Sequence, residues 1–326
     1  MTLRLTIDRA RWLDHVERER TALGGAGRLV PVVKGNGYGF GRETLAALAV
    51  EWSDLLAVGT VHEALAHTWT ADETVLVLTP LVRPVALPDR VVPVVGGVRH
   101  LDALGTHRGP IALKLLSSMA RYGCDRDDLP DLCRAVRTAG HPVHTAVLHL
   151  PLTGGARDLA AQVAEIEAWL PVLDAEEALA DVPLSVSHLD APTFTALAAR
   201  HPRRRFELRS GTALWHGDKS CLHLGADVVD VRPVGAGTAV GYRGSVVPDD
   251  GWLVMVGAGS THGVAPLPDG RSPFHHRRQR LALVEGPHMH TSMCFVPVDA
   301  PVPAVGDWVD VQRPLIAVAA DEVIWR

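Results

Sequence analysis

Lys34 stands after the apolar run Leu29-Val30-Pro31-Val32-Val33 and before Gly35-Asn36-Gly37-Tyr38-Gly39-Phe40-Gly41, a pattern that reads as a strand running into a flexible turn. An apolar setting disfavours the charged ammonium, and an amine with a lowered pKa is a nucleophile able to form a Schiff base with an aldehyde. The glycines do not make a nucleotide loop, because a Walker loop places its lysine after them and their spacing does not give G-x-G-x-x-G. Taken alone, the segment reads first as a solvated turn lysine. Three more polar residues, His149, His188 and Arg209, fall at the ends of apolar runs. Each could be a satisfied core histidine or a structural ion-pair arginine. Together with Lys34 they form a costly cluster of cations unless they pair with one another or with an anionic ligand.

The runs that carry these residues are Leu29 to Lys34, Leu55 to Gly59, Thr74 to Thr79, Val91 to Val95, Ile111 to Leu115, Thr145 to Leu150, Leu184 to His188 and Phe206 to Leu214. They alternate with Ala/Leu-rich helical stretches, the order of parallel strands joined by crossover helices. Eight such units predict an α/β chain built as a (β/α)8 barrel, whose chemistry belongs at the C-terminal ends of the strands. After about Cys221 the helical stretches vanish and short valine-rich runs alternate with Gly and Pro turns. The expected organisation is a barrel over 1–222 and a smaller β-rich domain over 223–326.

With 326 residues and 47% hydrophobic content the chain can bury a large core. A net charge of −5, with only the short clusters Arg203-Arg204-Arg205 and Arg277-Arg278, argues against nucleic acid. No signal pattern or run of spanning length is present, and the four cysteines lack paired spacing, so a reducing cytoplasm and no membrane are expected. His275-His276 and His288-Met289-His290 invite a metal, but no third ligand stands at diagnostic spacing and none is expected.

The stretch VVKGNGYGFG resembles the lysine segment of the alanine racemase family, and further landmarks follow in family order. Leu5 to Ala10 resembles the opening segment, and Leu56 to Ala64 the strand and helix start after the lysine. Lys114 to Gly123 is similar to K-x-D-T-G-M-x-R-x-G, with Leu116 in place of aspartate and Ser118 in place of glycine. Phe206 to Gly217 resembles R-x-G-x-x-x-Y-G, with Trp215 replacing tyrosine. The resemblance implies pyridoxal 5'-phosphate held by Lys34. Arg121 would lie against its phenolic oxygen and the substrate carboxylate, with Lys114 beside it, a lysine that some relatives carbamylate. Arg209 would donate to the pyridine nitrogen and keep it unprotonated, supported by His188. Gly211 and Thr212 would offer amides, and Tyr38 a hydroxyl, to the phosphate.

Racemisation needs a base on each face of Cα. Lys34 serves one. The segment Gly237 to Gly244 resembles the one carrying the family's catalytic tyrosine, which makes Tyr242 the other base, acting in the neighbouring subunit, where His149 would tune it. A head-to-tail homodimer with shared sites is implied. His290 to Cys294 resembles the segment around S-M-D, with Met293 offering its backbone amide to a substrate carboxylate and Cys294 standing where aspartate is usual. Gly257 to Gly263 lacks the tyrosine and aspartate of G-Y-x-D-G, and the late G-x-x-Y-E segment has no counterpart. The expected function is a pyridoxal-phosphate-dependent amino acid racemase, with alanine as the first substrate. The alternatives are a related enzyme acting on another amino acid and a non-catalytic cofactor-binding protein.

Overall fold

The computed structural model describes residues 2–66, 73–152 and 156–326. In chain order its strands and helices open with β1 (Leu3–Ile7), α1 (Arg9–Thr21), β2 (Arg28–Pro31), α2 (Arg42–Ala49), β3 (Leu55–Val58), α3 (Val61–Leu65), β4 (Thr74–Val77) and β5 (Val91–Val95). Then come α4 (Val98–Asp102), β6 (Ile111–Leu115), α5 (Leu129–Ala139), β7 (Val143–Leu148), α6 (Ala156–Asp174), β8 (Leu184–Ser187), α7 (Ala191–Arg200), β9 (Phe206–Ser210) and α8 (Thr212–His216). Among the described residues, β2 to β9 form an eight-stranded parallel sheet in the order β2-β9-β8-β7-β6-β5-β4-β3. Its open edge closes through the bridge between Val32 and Ala57, where the Val33 amide donates to the Ala57 carbonyl at 2.8 Å. This is the expected (β/α)8 barrel.

Parallel strands covered on both faces read as continuous apolar runs, and β3, β5 and β6 are buried throughout. Helix ends carry the expected punctuation. The Asp190 carboxylate caps α7 by accepting from the Thr193 amide at 2.8 Å, and α5 stops at Gly140, whose φ of 77° lies in the left-handed region. The barrel core runs through Ile111, Leu113, Leu148, Val186, Phe194 and Phe206.

The β-rich part consists of β10 (Leu222–Val234), β11 (Ala239–Val240), β12 (Ser245–Val246), β13 (Gly251–Val256), β14 (Phe274–His276), β15 (Gln279–Arg280), β16 (Ala282–Leu283), β17 (Ser292–Pro297), β18 (Trp308–Val311) and β19 (Glu322–Trp325). The long β10 bends its sheet, with a register shift between Val228 and Asp230. The chain divides into two compact units, one made of Met1–Asp14, Tyr38–Gly41 and Asp218–Arg326, the other of His15–Gly37 and Arg42–Gly217. The opening segment therefore departs from the expected 1–222 boundary. β1 pairs antiparallel with β10 and parallel with β19, placing Leu3–Ile7 in the β-rich unit. A burial pattern alternating along β1 shows a strand but not its partner, so that pairing had no local signal.

Candidate active site

Lys34 lies three residues beyond the end of β2, not at its last position. Its turn is held from both sides. The Glu63 carboxylate accepts from the Gly35 amide at 3.1 Å and the Gly59 amide at 2.6 Å, while Arg42 Nη1 donates to the Gly35 carbonyl at 3.2 Å. Glu63 occupies the third residue of α3, where the Thr60 hydroxyl accepts from its amide at 3.3 Å. The carboxylate thus ties the end of β3 to the residue after Lys34. Although the Lys34 side chain reaches solvent, desolvation and then the charge of Arg121 lower its pKa, with Glu63 opposing and Arg209 adding a lesser push downward.

Arg209 sits inside β9 and is 3% exposed. Its Nη1 donates to the Ser185 carbonyl at 2.6 Å and its Nη2 to the Leu148 carbonyl at 2.8 Å, so backbone oxygens of β8 and β7 fix the guanidinium plane. Its Nε is buried without a partner. Burial lowers the arginine pKa to about 10, still leaving it charged near neutrality, with Glu207 pulling the other way. The expected support from His188 takes a different form. His188 Nδ1 donates to the Leu150 carbonyl at 2.7 Å and its ring meets His149 edge-on, with centroids 4.8 Å apart. His188 adopts a left-handed φ of 65°, a strained conformation for a residue with a side chain.

His149 follows β7 directly. The Ser187 hydroxyl accepts from the Leu150 amide at 3.3 Å and bonds His149 Nδ1 at 3.0 Å. The tautomer with hydrogen on Nε2 is the one in which Nδ1 accepts from that hydroxyl. Burial, then Arg209, His188, Lys114 and Arg121, push the His149 pKa down to about 2, so the ring is neutral at any physiological pH.

Lys114, inside β6 and 3% exposed, donates to the carbonyls of Leu115 at 3.2 Å and Val147 at 3.4 Å. Burial, followed by Arg209 and Arg121, brings its pKa down to about 7, with Glu165 opposing. Arg121 is exposed and stacks over the Tyr122 ring at 4.7 Å. Its loop is anchored on Glu165 of α6, which accepts from the Ser118 amide at 2.6 Å and hydroxyl at 2.7 Å, and the Ser117 hydroxyl donates to the His149 carbonyl at 2.6 Å.

The barrel mouth therefore gathers Lys34, Lys114, Arg121, Arg209, His149 and His188, with the carboxylates of Glu63 and Glu165 beside them. Unbalanced positive charge and an orphaned guanidinium nitrogen fit an anionic aromatic cofactor with a ring nitrogen to receive Arg209 and an aldehyde for Lys34. The run expected as a strand to Leu214 stops at Ser210. Gly211 and the exposed Thr212 open α8, and Trp215 of α8 donates from Nε1 to the Val32 carbonyl at 2.8 Å.

The remaining candidates belong to the β-rich unit. Tyr38 is buried at a left-handed φ of 55°. Tyr242 is 87% exposed in the turn between β11 and β12. Met293 lies in β17 opposite Met255, its carbonyl accepting from the Val284 amide at 2.9 Å. His288 and His290 precede β17 in a loop and do not alternate along a strand, and His288 bonds Glu285. Among the described residues no group of three His, Cys, Asp or Glu side chains could hold a metal ion, and no helix is long and apolar enough to cross a membrane. The four cysteines are free and buried. Glu63 and Glu165 escaped the sequence reading. Thr60-x-x-Glu63 before an apolar residue is the one local signal that could have found the first.

Residues 7–218 match the family model "Alanine racemase, N-terminal domain". An alanine racemase of Nitratidesulfovibrio vulgaris (strain DP4) is 28% identical over 330 residues, covering 91% of this chain and 86% of that protein. The alanine racemase of Bartonella henselae with covalently bound pyridoxal phosphate superposes with a TM-score of 0.75 at 18% identity, covering all of both chains. The biosynthetic alanine racemase of Pseudomonas aeruginosa gives a TM-score of 0.71 at 21% identity, covering 100% of this chain and 99% of that one. A matched model spanning most of the barrel, on a fold shared end to end with these proteins, establishes that the chain belongs to the alanine racemase family.

Proposed function

We propose that this protein is a pyridoxal-phosphate-dependent amino acid racemase that interconverts L- and D-alanine, using Lys34 and Tyr242 as its two bases. The observation that carries this reading is the cationic barrel mouth, where Lys34, its pKa lowered, lies within the electrostatic reach of the buried Arg209, whose Nε has no partner. Pyridoxal phosphate, when bound, withdraws electrons from the substrate Cα and acidifies the α-proton. Lys34 holds the cofactor and, in its neutral form, takes or returns the α-proton on one face. Arg209 would donate Nε–H to the pyridine nitrogen and, by staying charged, would keep a proton off it. An unprotonated ring would be a weaker electron sink, which would favour proton exchange at Cα over transamination. Arg121 would hold the phenolic oxygen of the cofactor and pair with the substrate carboxylate through its guanidinium fork. Gly211 and Thr212 would offer amides, and Tyr38 a hydroxyl, to the phosphate.

Tyr242 of the partner subunit serves the other face, with His149 Nε2–H available to orient the phenol oxygen. The exposure of Tyr242 on the β-rich unit supports this head-to-tail homodimer, in which the 223–326 segment completes its neighbour's site and Met293 offers an amide to the substrate carboxylate. The protein works in the cytoplasm. A second reading, another amino acid as substrate, is favoured by Cys294, whose buried thiol has its pKa raised by desolvation and stays neutral where the family pattern carries aspartate.

Proton NMR in deuterated water tests the assignment, with holoprotein against both enantiomers of alanine, serine, lysine and glutamate. Loss of the α-proton signal from both enantiomers of alanine, with the mirror form accumulating on chiral analysis, is the expected result. The same outcome with another amino acid selects the second reading, and no exchange across the panel defeats both.

A further inference from the structure

Tyr242 stands on an exposed turn, yet the backbone around it is clamped. Glu285 accepts from the Tyr242 amide at 2.9 Å through Oε1 and from the Arg243 amide at 3.1 Å through Oε2. Oε1 also receives His288 Nε2–H at 2.5 Å, and the His288 ring lies against the Tyr242 ring with centroids 4.4 Å apart at a 56° tilt. The Glu285 side chain is only 4% exposed beneath this cluster. His288 is itself fixed, its amide donating to the Thr291 carbonyl at 2.9 Å and its carbonyl accepting from the Ser260 amide at 2.7 Å. The turn closes this tightly only because residue 241 is glycine. Its φ is 75°, and a Cβ there would meet Glu285 Oε1 at 2.4 Å.

We propose that Glu285 and His288 are positioning residues for Tyr242: the carboxylate fixes the two amides of its turn and holds the imidazole as a plate against the phenol ring, aiming the hydroxyl before any substrate arrives. This rests on the reading of Tyr242 as the second base. A tyrosine on an unanchored loop would sample many directions, and misplacing a reacting group by about 1 Å can cost on the order of a hundredfold in rate. A carboxylate that accepts three hydrogen bonds from one turn and its neighbouring imidazole limits that sampling at its base.

A two-base enzyme separates this role from general damage, because each base governs deuterium exchange of one enantiomer. In holoenzyme carrying Tyr242→Phe, α-proton exchange from one enantiomer of alanine is expected to vanish while the other, served by Lys34, continues. Survival of both would remove Tyr242 from the mechanism and overturn the inference with it. Given that result, Glu285→Ala and His288→Ala are expected to slow exchange of the Tyr242-dependent enantiomer by about tenfold or more, leaving the other within about twofold. Glu285→Gln keeps acceptor capacity at nearly the same size, so it should fall between wild type and Glu285→Ala, and it provides the readout if the alanine variant does not fold. Equal slowing of both enantiomers, or no slowing, overturns the positioning role while leaving Tyr242 as a base.

Discussion

At the scale of single residues, the barrel mouth is governed by what burial does to charge. Lys34 is the residue whose loss matters most to the proposed mechanism, which gives it both the attachment of the cofactor and the transfer of a proton. Lys34→Ala should abolish covalent attachment after borohydride reduction, read by mass spectrometry of the intact chain, and lower racemisation by about a thousandfold or more. Lys114 gives a pH prediction of definite sign. Its pKa falls from 10.5 in the unfolded chain to about 7 in the fold, so the unfolded state binds the proton more tightly. The apoprotein pays no penalty above about pH 10.5, loses stability as the pH falls through that window, and carries the full cost below about pH 7. Lys114→Met should therefore stabilise the apoprotein below about pH 7 by on the order of a few kcal/mol, with no gain above about pH 10.5. Denaturant midpoints of both proteins across that range check the sign. His149 adds an acid-side cost of the same origin. Its folded value of about 2 lies below the usual 6.5, so stability drains away as the pH falls below the unfolded value.

At the scale of elements, the reactive lysine is placed by a turn and a helix start acting together. Glu63→Ala leaves the amides of Gly35 and Gly59 without their acceptor, at a cost of about 1 to 3 kcal/mol where they are not rescued by water. Thermal unfolding should show that loss, and steady-state kinetics should show kcat falling more than KM changes, because the side chain that moves is Lys34 and not a substrate contact. Gly37→Ala should be still less tolerated. Residue 37 has φ of 61°, and an added Cβ would lie 2.3 Å from the Arg42 amide nitrogen, a backbone atom that cannot give way cheaply. Glu165→Ala frees the Ser118 loop and should raise KM for the amino acid more than it lowers kcat, since Arg121, the proposed carboxylate contact, hangs from that loop. The strand periods and the Lys34 turn were readable because they are local. The Glu165 to Ser118 clasp was not, because its partners are 47 residues apart and meet only when α6 packs on the barrel.

At the scale of the whole molecule, the proposed dimer makes a quantitative statement. A subunit with Lys34→Ala and a subunit with Tyr242→Phe should each be inactive as homodimers. Co-refolded in equal amounts, they should recover about a quarter of wild-type racemisation, because half the dimers are mixed and each holds one intact site of two. Continued absence of activity in a mixture shown by native mass spectrometry to contain mixed dimers would remove the shared-site arrangement. The β-rich unit also shows how composition hides assignment. The shift to valine, glycine and proline after Cys221 marked its main segment, but β1 joins it from the far end of the chain through β10 and β19.

Legible along the chain were the alternation that builds the barrel, the lysine after an apolar run, and the polar residues His149, His188 and Arg209 toward the same end of their strands. Those features are periodic or local, and backbone geometry converts them directly into position. Packing alone set the carbonyls of Leu148 and Ser185 on the Arg209 guanidinium, brought the Trp215 indole to the Val32 carbonyl from 183 residues away, and laid Glu285 under the turn of Tyr242. Each of these is a hydrogen bond across elements, required because a buried polar group must find a partner, and the partner is chosen by packing and not by any pattern along the chain.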